Sequence, residues 1–344
     1  MTTDSAAYLI DLHQLLDRHF DLEEFRTLCV ALDVKYDNLR GEGLSARMRE
    51  LVLLLWRDGR LPHLVAEARK KRPHISWPDV PQDLPPPGPD FPPAPRLPYE
   101  PECVLIPAGP FLMGCDADPL AAPRHTVDLP AYWIGVYPVT NAQYAHFIWK
   151  TKRVAGKELL WLGNTPAPGQ ERRPVAGVSW CDALAYCDWL SAQTGRRYAL
   201  PSEAQWEKAA RGADGRLYPW GDAWDPDRCN SDPDGLTAVD AFPAQSAYGC
   251  YDMAGNAREW TTTLWGIKPG EPEERYRYPW ANDGRDDLTA PPTTRRVFRG
   301  GRGDAPAAYR CSARGAYLPQ KSGPPNQRHG FRVILLPAER MDTR

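Results

Sequence analysis

Apolar positions in the first 77 residues recur with a helical spacing. Leu9, Leu12, Leu15 and Leu16 share one face, and Phe25, Leu28, Cys29 and Leu32 continue the same period. Met48, Leu51, Val52 and Leu55, then Leu61, Leu64, Val65 and Ala68, mark further helices. Gly41-Glu42-Gly43 and Asp58-Gly59 punctuate them. Asp21 followed by Glu24 has the form of a capping box, in which each side chain accepts from the other residue's backbone amide. The pattern predicts a small all-α bundle over residues 1–77. Its polar residues fall on solvated helix faces, and no catalytic pair is visible.

The helical period stops at residue 78. Residues 78–101 contain eleven prolines, including Pro85-Pro86-Pro87, and read as a polyproline II spacer rather than an SH3-type ligand. A second domain is expected over residues 102–344, made of short strands, turns and tryptophans. Residues 104–109 and 111–114 are predicted to pair as a hairpin. Ser179 is placed to cap a helix over Trp180–Leu190, and Pro201-Ser202 to open a second helix at Glu203. Near the end, residues 297–301 and 330–335 read as strands. Between them lie 28 residues, Arg302 to His329, without helical or strand period. A loop that long in a compact domain is functional or disordered. Flanking strands would pin it to a scaffold, which is how binding surfaces are commonly built.

Composition narrows the function classes. The formal net charge is −2, which argues against a nucleic-acid partner. No apolar run approaches the roughly 18 residues of a membrane span. The N-terminal stretch lacks the basic-then-apolar order of a signal peptide. A cytoplasmic location with free thiols is therefore expected. The eight cysteines include no CxxC and no zinc spacing, and Cys181 and Cys187, in a helical pattern, are expected as buried core.

Ordered motifs then carry a resemblance. Ile106-Pro107-Ala108-Gly109, Tyr137-Pro138-Val139-Thr140-Asn141, the run Leu200 to Glu207, Tyr218-Pro219-Trp220-Gly221, Asp252-Met253-Ala254-Gly255-Asn256, Arg299-Gly300-Gly301 and Gly330-Phe331-Arg332 resemble the formylglycine-generating-enzyme (sulfatase-modifying factor) family over about residues 102–338. The resemblance implies an α+β fold, a C-type lectin-like domain with little regular structure, two helices and a twisted antiparallel sheet, preceded here by the helical bundle. It also implies calcium in at least one of two sites. Asn230, Ser231, Asp234 and Leu236 match the first, and Ala254, Gly255, Ala257 and the carboxylate of Glu259 the second. Oxygen ligands of this kind suit a hard cation. The alternative is that Asn230 and Asp234 are turn residues and Glu259 a salt-bridge partner.

Copper is not expected. The family's copper-binding cysteine pair would fall after Arg299-Gly300-Gly301, but residues 302–309 contain no cysteine, and Cys311 lies inside the later Arg310-Cys311-Ser312-Ala313-Arg314 motif. Cuprous ion wants paired thiolates. Iron is not expected either, because the seven histidines form no HxxxH pair. The same scaffold resembles that of variable proteins of diversity-generating retroelements, whose randomised codons exclude Lys, Gln, Glu, Met and Trp. Arg302, Gly303, Asp304, Ala305, Tyr309, Gly315, Ala316, Tyr317, Leu318, Gly323, Asn326, Arg328 and His329 fit that menu and are the expected ligand-binding positions. Gln320, Lys321 and Gln327 would be fixed. Residues 8–72 resemble the effector-associated domains of bacterial conflict systems, implying an effector protein as partner. The expected function is non-enzymatic recognition of a protein or small-molecule ligand, with an oxidative enzyme or its inactive relic as the alternative.

Overall fold

The computed structural model describes residues 3–39, 43–57, 60–81, 97–159, 161–232, 235–301, 303, 305–322 and 328–336. The chain divides into two compact units, Met1–Pro92 and Pro93–Arg344.

The first unit is a helical bundle of α1 (Thr3–His19), α2 (Leu22–Ala31), α3 (Leu44–Arg57) and α4 (Leu61–Lys71). Its core is the set of positions that the period picks out, with Leu12, Leu16, Phe25, Leu28, Met48, Leu51, Leu55 and Leu64 fully buried. The capping box forms as expected: Asp21 Oδ1 accepts from Glu24 N at 2.9 Å and Glu24 Oε2 from Asp21 N at 3.2 Å. Packing continues past the last helix. Trp77 meets Phe20 edge-on at 6.0 Å, its indole N–H donates to Arg72 O, and Val80 packs on the same core. The turn residues Gly41-Glu42 and Asp58-Gly59, and most of the proline spacer (82–96), lie outside the described residues.

Among the described residues the second unit has three sheets. β1 (Cys103–Ile106), β4 (Tyr132–Gly135), β10 (Ile334–Leu336) and β5 (Arg197–Ala199) lie in the order β1-β4-β10-β5. β2 (Gly109–Met113) pairs with β3 (His125–Leu129). The third sheet runs β8 (Gly315–Tyr317), β7 (Arg295–Arg299), β6 (Arg258–Gly266), β9 (His329–Gly330). The expected hairpin between residues 104–109 and 111–114 is thus corrected: β1 and β2 take different partners. Pro107 and Ala108 separate the two strands, and Gly109, at φ +116°, opens β2 in a different sheet from β1.

The cap of α6 (Trp180–Thr194) at Ser179 and that of α7 (Glu203–Arg211) at Ser202 both form, each as a capping box. A third helix, α5 (Asn141–Thr151), was not expected; Thr140 and Gln143 make the same box at its start. Cys187 is buried as expected, but Cys181 is exposed, because it sits on the outward side of the first turn of α6. Among the described residues no helix is long and apolar enough to cross a membrane.

Candidate ligand-binding site

The family-like motifs carry buried charge. Glu207 of α7 accepts from Gly114 N at 2.8 Å, lies 3.3 Å from Arg211, and pairs with Arg299 of β7. Arg299 also donates to Cys311 O at 2.6 Å. Glu203 accepts from Arg314 at 2.7 Å. All of these side chains are fully buried. A buried ion in an apolar surround is tolerated only when paired and hydrogen-bonded. The motifs around Arg299 and Arg314 are therefore read as fasteners, which lock both ends of the segment 300–314 onto α7.

Glu259 has the same role. Its Oε2 accepts from Arg332 Nε at 2.6 Å and from the Trp206 indole at 2.8 Å, and its Oε1 from Arg332 Nη2 at 2.8 Å. Arg332 already supplies the positive charge that a cation would bring, so the donor set at Ala254, Gly255, Ala257 and Glu259 does not fit calcium. At the first site the Asn230 amide donates to Gly235 O at 3.0 Å, while its oxygen accepts from Asp232 N at 3.1 Å. Ser231 and Leu236 neighbour these residues in the chain, and Asp234 lies outside the described residues. Among the described residues no group of three or more His, Cys, Asp or Glu side chains is placed to hold a metal. Cys311 is buried, and burial pushes its thiol up to about 12, so the sulfur stays protonated.

Beside this network Asp252 is buried and accepts from Asn256 Nδ2 at 2.7 Å. Burial raises its carboxyl to about 8, against the lowering by that hydrogen bond and by Arg332. Because the folded value exceeds the unfolded one of about 4, the neutral acid favours the fold. Its contribution is complete below pH ~4 and is lost as pH rises through about 8. Asp252→Asn should therefore melt higher than the parent at pH 9, with the gain shrinking toward pH 4. Melting curves that stay parallel across that range would exclude this assignment. The left-handed backbone at residue 252, φ +52°, accepts asparagine.

The terminal loop is more ordered than its sequence implies. Residues 306–309 form a 3-10 turn, and Gly315–Tyr317 pair antiparallel with β7. Three strand residues are too few to show a period, so the pattern could not reveal them. Two expected ligand positions are corrected. Tyr309 is buried in a cluster with Tyr218 and Trp224, and its hydroxyl donates to Gly303 O at 3.0 Å. His329 is fully buried in β9, its ring 4.8 Å from Trp260 and 4.7 Å from Phe298. Both are packing residues. Gly315 is constrained as well, since a Cβ there would lie 2.5 Å from the Phe298 ring.

Gly303 and Ala305 are exposed, and Ala316, Tyr317, Leu318 and Arg328 are half-buried. Arg302, Asp304, Gly323 and Asn326 lie outside the described residues. Tyr317, with Gln320, Lys321 and Ser322, lines an open cavity of about 550 Å³. Arg328 lines a second cavity of about 220 Å³. Glu158, Leu159 and Gly177 line both, so the two adjoin as lobes on either side of a shared wall. The larger is also lined from α5 and the start of α6, through Tyr144 of α5, Arg153 just past its end, Ser179 and Asp182. None of these was expected as a site residue. Their only sequence signal is the pair of helix boundaries, which does not say what they face.

Comparison with known proteins places this geometry. Residues 88–336 match the model of the sulfatase-modifying factor enzyme 1-like domain, and residues 12–73 that of effector-associated domain 7. The chain is similar to inactive C-alpha-formylglycine-generating enzyme 2 of Mus musculus, 33% identical over 221 residues that span 48% of this chain and 70% of that protein. It is also similar to formylglycine-generating enzyme of Bos taurus, 30% identical over 286 residues, 64% of this chain and 71% of that protein. Treponema denticola variable protein 1 shares the fold with a TM-score of 0.52 at 21% identity, over 68% of this chain and 95% of that one. The second unit thus has the α+β, C-type lectin-like fold of the formylglycine-generating type.

Proposed function

The chain belongs to the sulfatase-modifying factor enzyme 1-like family and carries an effector-associated domain 7 ahead of the family domain; from that premise we propose that it is a ligand-recognition protein. The observation that carries this reading is the cleft. One wall is the terminal loop, through Tyr317 and Arg328, on a frame held by buried ion pairs. Tyr317 offers rigid aromatic area at low entropy cost, fixed by its β-ladder with Arg296. The chemistry of an oxidase has no support at this loop, where the sole thiol, Cys311, is buried and protonated. Similarity to an inactive relative accords with this.

The loop is proposed to be diversified at Gly303, Ala305, Ala316, Tyr317, Leu318 and Arg328, together with Arg302, Asp304, Gly323 and Asn326. A variable protein is built on the same fold. Tyr309, Gly315 and His329 are excluded by their packing. The N-terminal helical unit would recruit an effector protein in a cytoplasmic setting. Sequencing this gene from many sister cells is expected to show changes at those codons between Gly301 and Gly330, with the codons of Tyr309, Gly315 and His329 uniform. A loop uniform throughout sinks the diversification. Copper or iron in the purified protein, with oxygen consumed on a cysteine-containing peptide, would establish the enzymatic alternative.

A further inference from the structure

Taken together, the two lobes are lined by four cationic and two anionic side chains: Arg153 and Lys321 face Asp182 and Glu158 in the larger, which is balanced, while Arg173 and Arg328 outnumber Glu158 in the smaller. Asp182 is already committed. Its Oδ2 accepts from Ser179 Oγ at 2.6 Å and Ser179 N at 3.2 Å, and its Oδ1 lies 4.0 Å from Arg153. That carboxylate balances the N-terminus of α6. By contrast, the side chains of Lys321 and Arg173 have no hydrogen-bond or ion-pair partner among the described residues, one in each lobe. Unpaired cations on the walls of a cleft raise the positive potential felt by its occupant. Glu158, on the shared wall, likewise has no partner among the described residues and can only accept a hydrogen bond.

Resting on the recognition reading above, we propose that the ligand is an acidic peptide. Carboxylate side chains would enter the lobes at Lys321 and Arg173, and a backbone N–H would pass over Glu158. A lone small anion would fill one lobe and be repelled by Glu158. A peptide supplies both carboxylates and N–H donors along one chain. The charge frame is independent of the loop's variation. Arg153, Glu158 and Arg173 lie outside the loop, and Lys321 is at a position whose residue the randomised codons cannot encode. The frame selects acidic peptides as a class, and residues such as Tyr317 and Leu318 select among them.

The test uses the full chain to select from a phage-displayed panel of random peptides. Enriched peptides are expected to be rich in Asp and Glu. The double variant Lys321→Glu, Arg173→Glu is expected to melt like the parent, to bind those peptides at least about tenfold more weakly, and to enrich basic peptides when reselected. Tyr317→Ala should weaken binding without changing the charge preference. Enriched peptides that are neutral or basic, or no enrichment, overturn the acidic-peptide inference. Recognition through the loop survives the neutral or basic outcome if Tyr317→Ala still weakens binding. Acidic peptides indifferent to both the charge reversal and Tyr317→Ala overturn the inference and the loop reading together. Inorganic phosphate competing as well as the peptide overturns the peptide assignment, leaving a small anion as the ligand.

Discussion

Glu207→Ala is expected to destabilise the second unit by about 3–5 kcal/mol, the cost of stranding a buried charge whose partner is removed. Glu207 is fully buried between Arg299 and Arg211 and also accepts from Gly114 N. Alanine removes the carboxylate that balances two buried guanidinium groups and leaves the Gly114 amide without its acceptor, although Arg299 keeps Cys311 O and Arg211 keeps Leu112 O and Gly114 O. For a unit of this size that free energy corresponds to a melting shift on the order of 10 °C. Glu207→Gln keeps the shape and the acceptor for Gly114 but loses the charge, so its loss should be smaller. Thermal unfolding of the three proteins at neutral pH decides the matter. An alanine variant that melts with the parent would mean that the ion pairs do not hold the motif segment.

Gly301→Ala should cost about 2–4 kcal/mol, more than backbone strain alone. Gly301 has φ +60°, and a Cβ there would lie 1.8 Å from the Ala308 carbonyl oxygen and 2.7 Å from its carbon. Both atoms are backbone, so relief requires the 306–309 turn to move. That turn positions Tyr309, 4.9 Å from Trp224. The variant should therefore also lose near-ultraviolet circular dichroism from this aromatic cluster. Gly284→Ala is the control. Its φ is +86°, but nothing lies within 4 Å of the added Cβ, so it isolates the strain, about 1 kcal/mol. Equal losses at the two positions would show that the close approach does not matter.

The local rules that were legible in the sequence are the ones the structure uses locally. Asp21 with Glu24, Ser179 with Asp182 and Ser202 with Gln205 each place a cap three residues before its partner, and each helix starts there. Thr140 with Gln143 has the same spacing, and α5 starts there too. Strand pairing was not legible. Residues 104–106 and 111–113 look like two halves of a hairpin, yet their partners are Tyr132–Gly135 and His125–Leu129. Nothing local in a four- or five-residue strand states its register with a distant one.

By itself the sequence determined the helical bundle, the caps and, through ordered motifs, the family and its lectin-like fold, because each depends on residues close together or on a fixed succession of turns. Only the tertiary structure decided the roles within the terminal loop. Arginine, tyrosine and histidine in a Gly- and Pro-rich stretch all read as surface. Burial separates Tyr309 and His329, which pack, from Tyr317 and Arg328, which face a cleft. It likewise assigned Glu259 to Arg332 rather than to a cation. A charged side chain's role is set by what is brought against it, and those neighbours come from segments tens to hundreds of residues away.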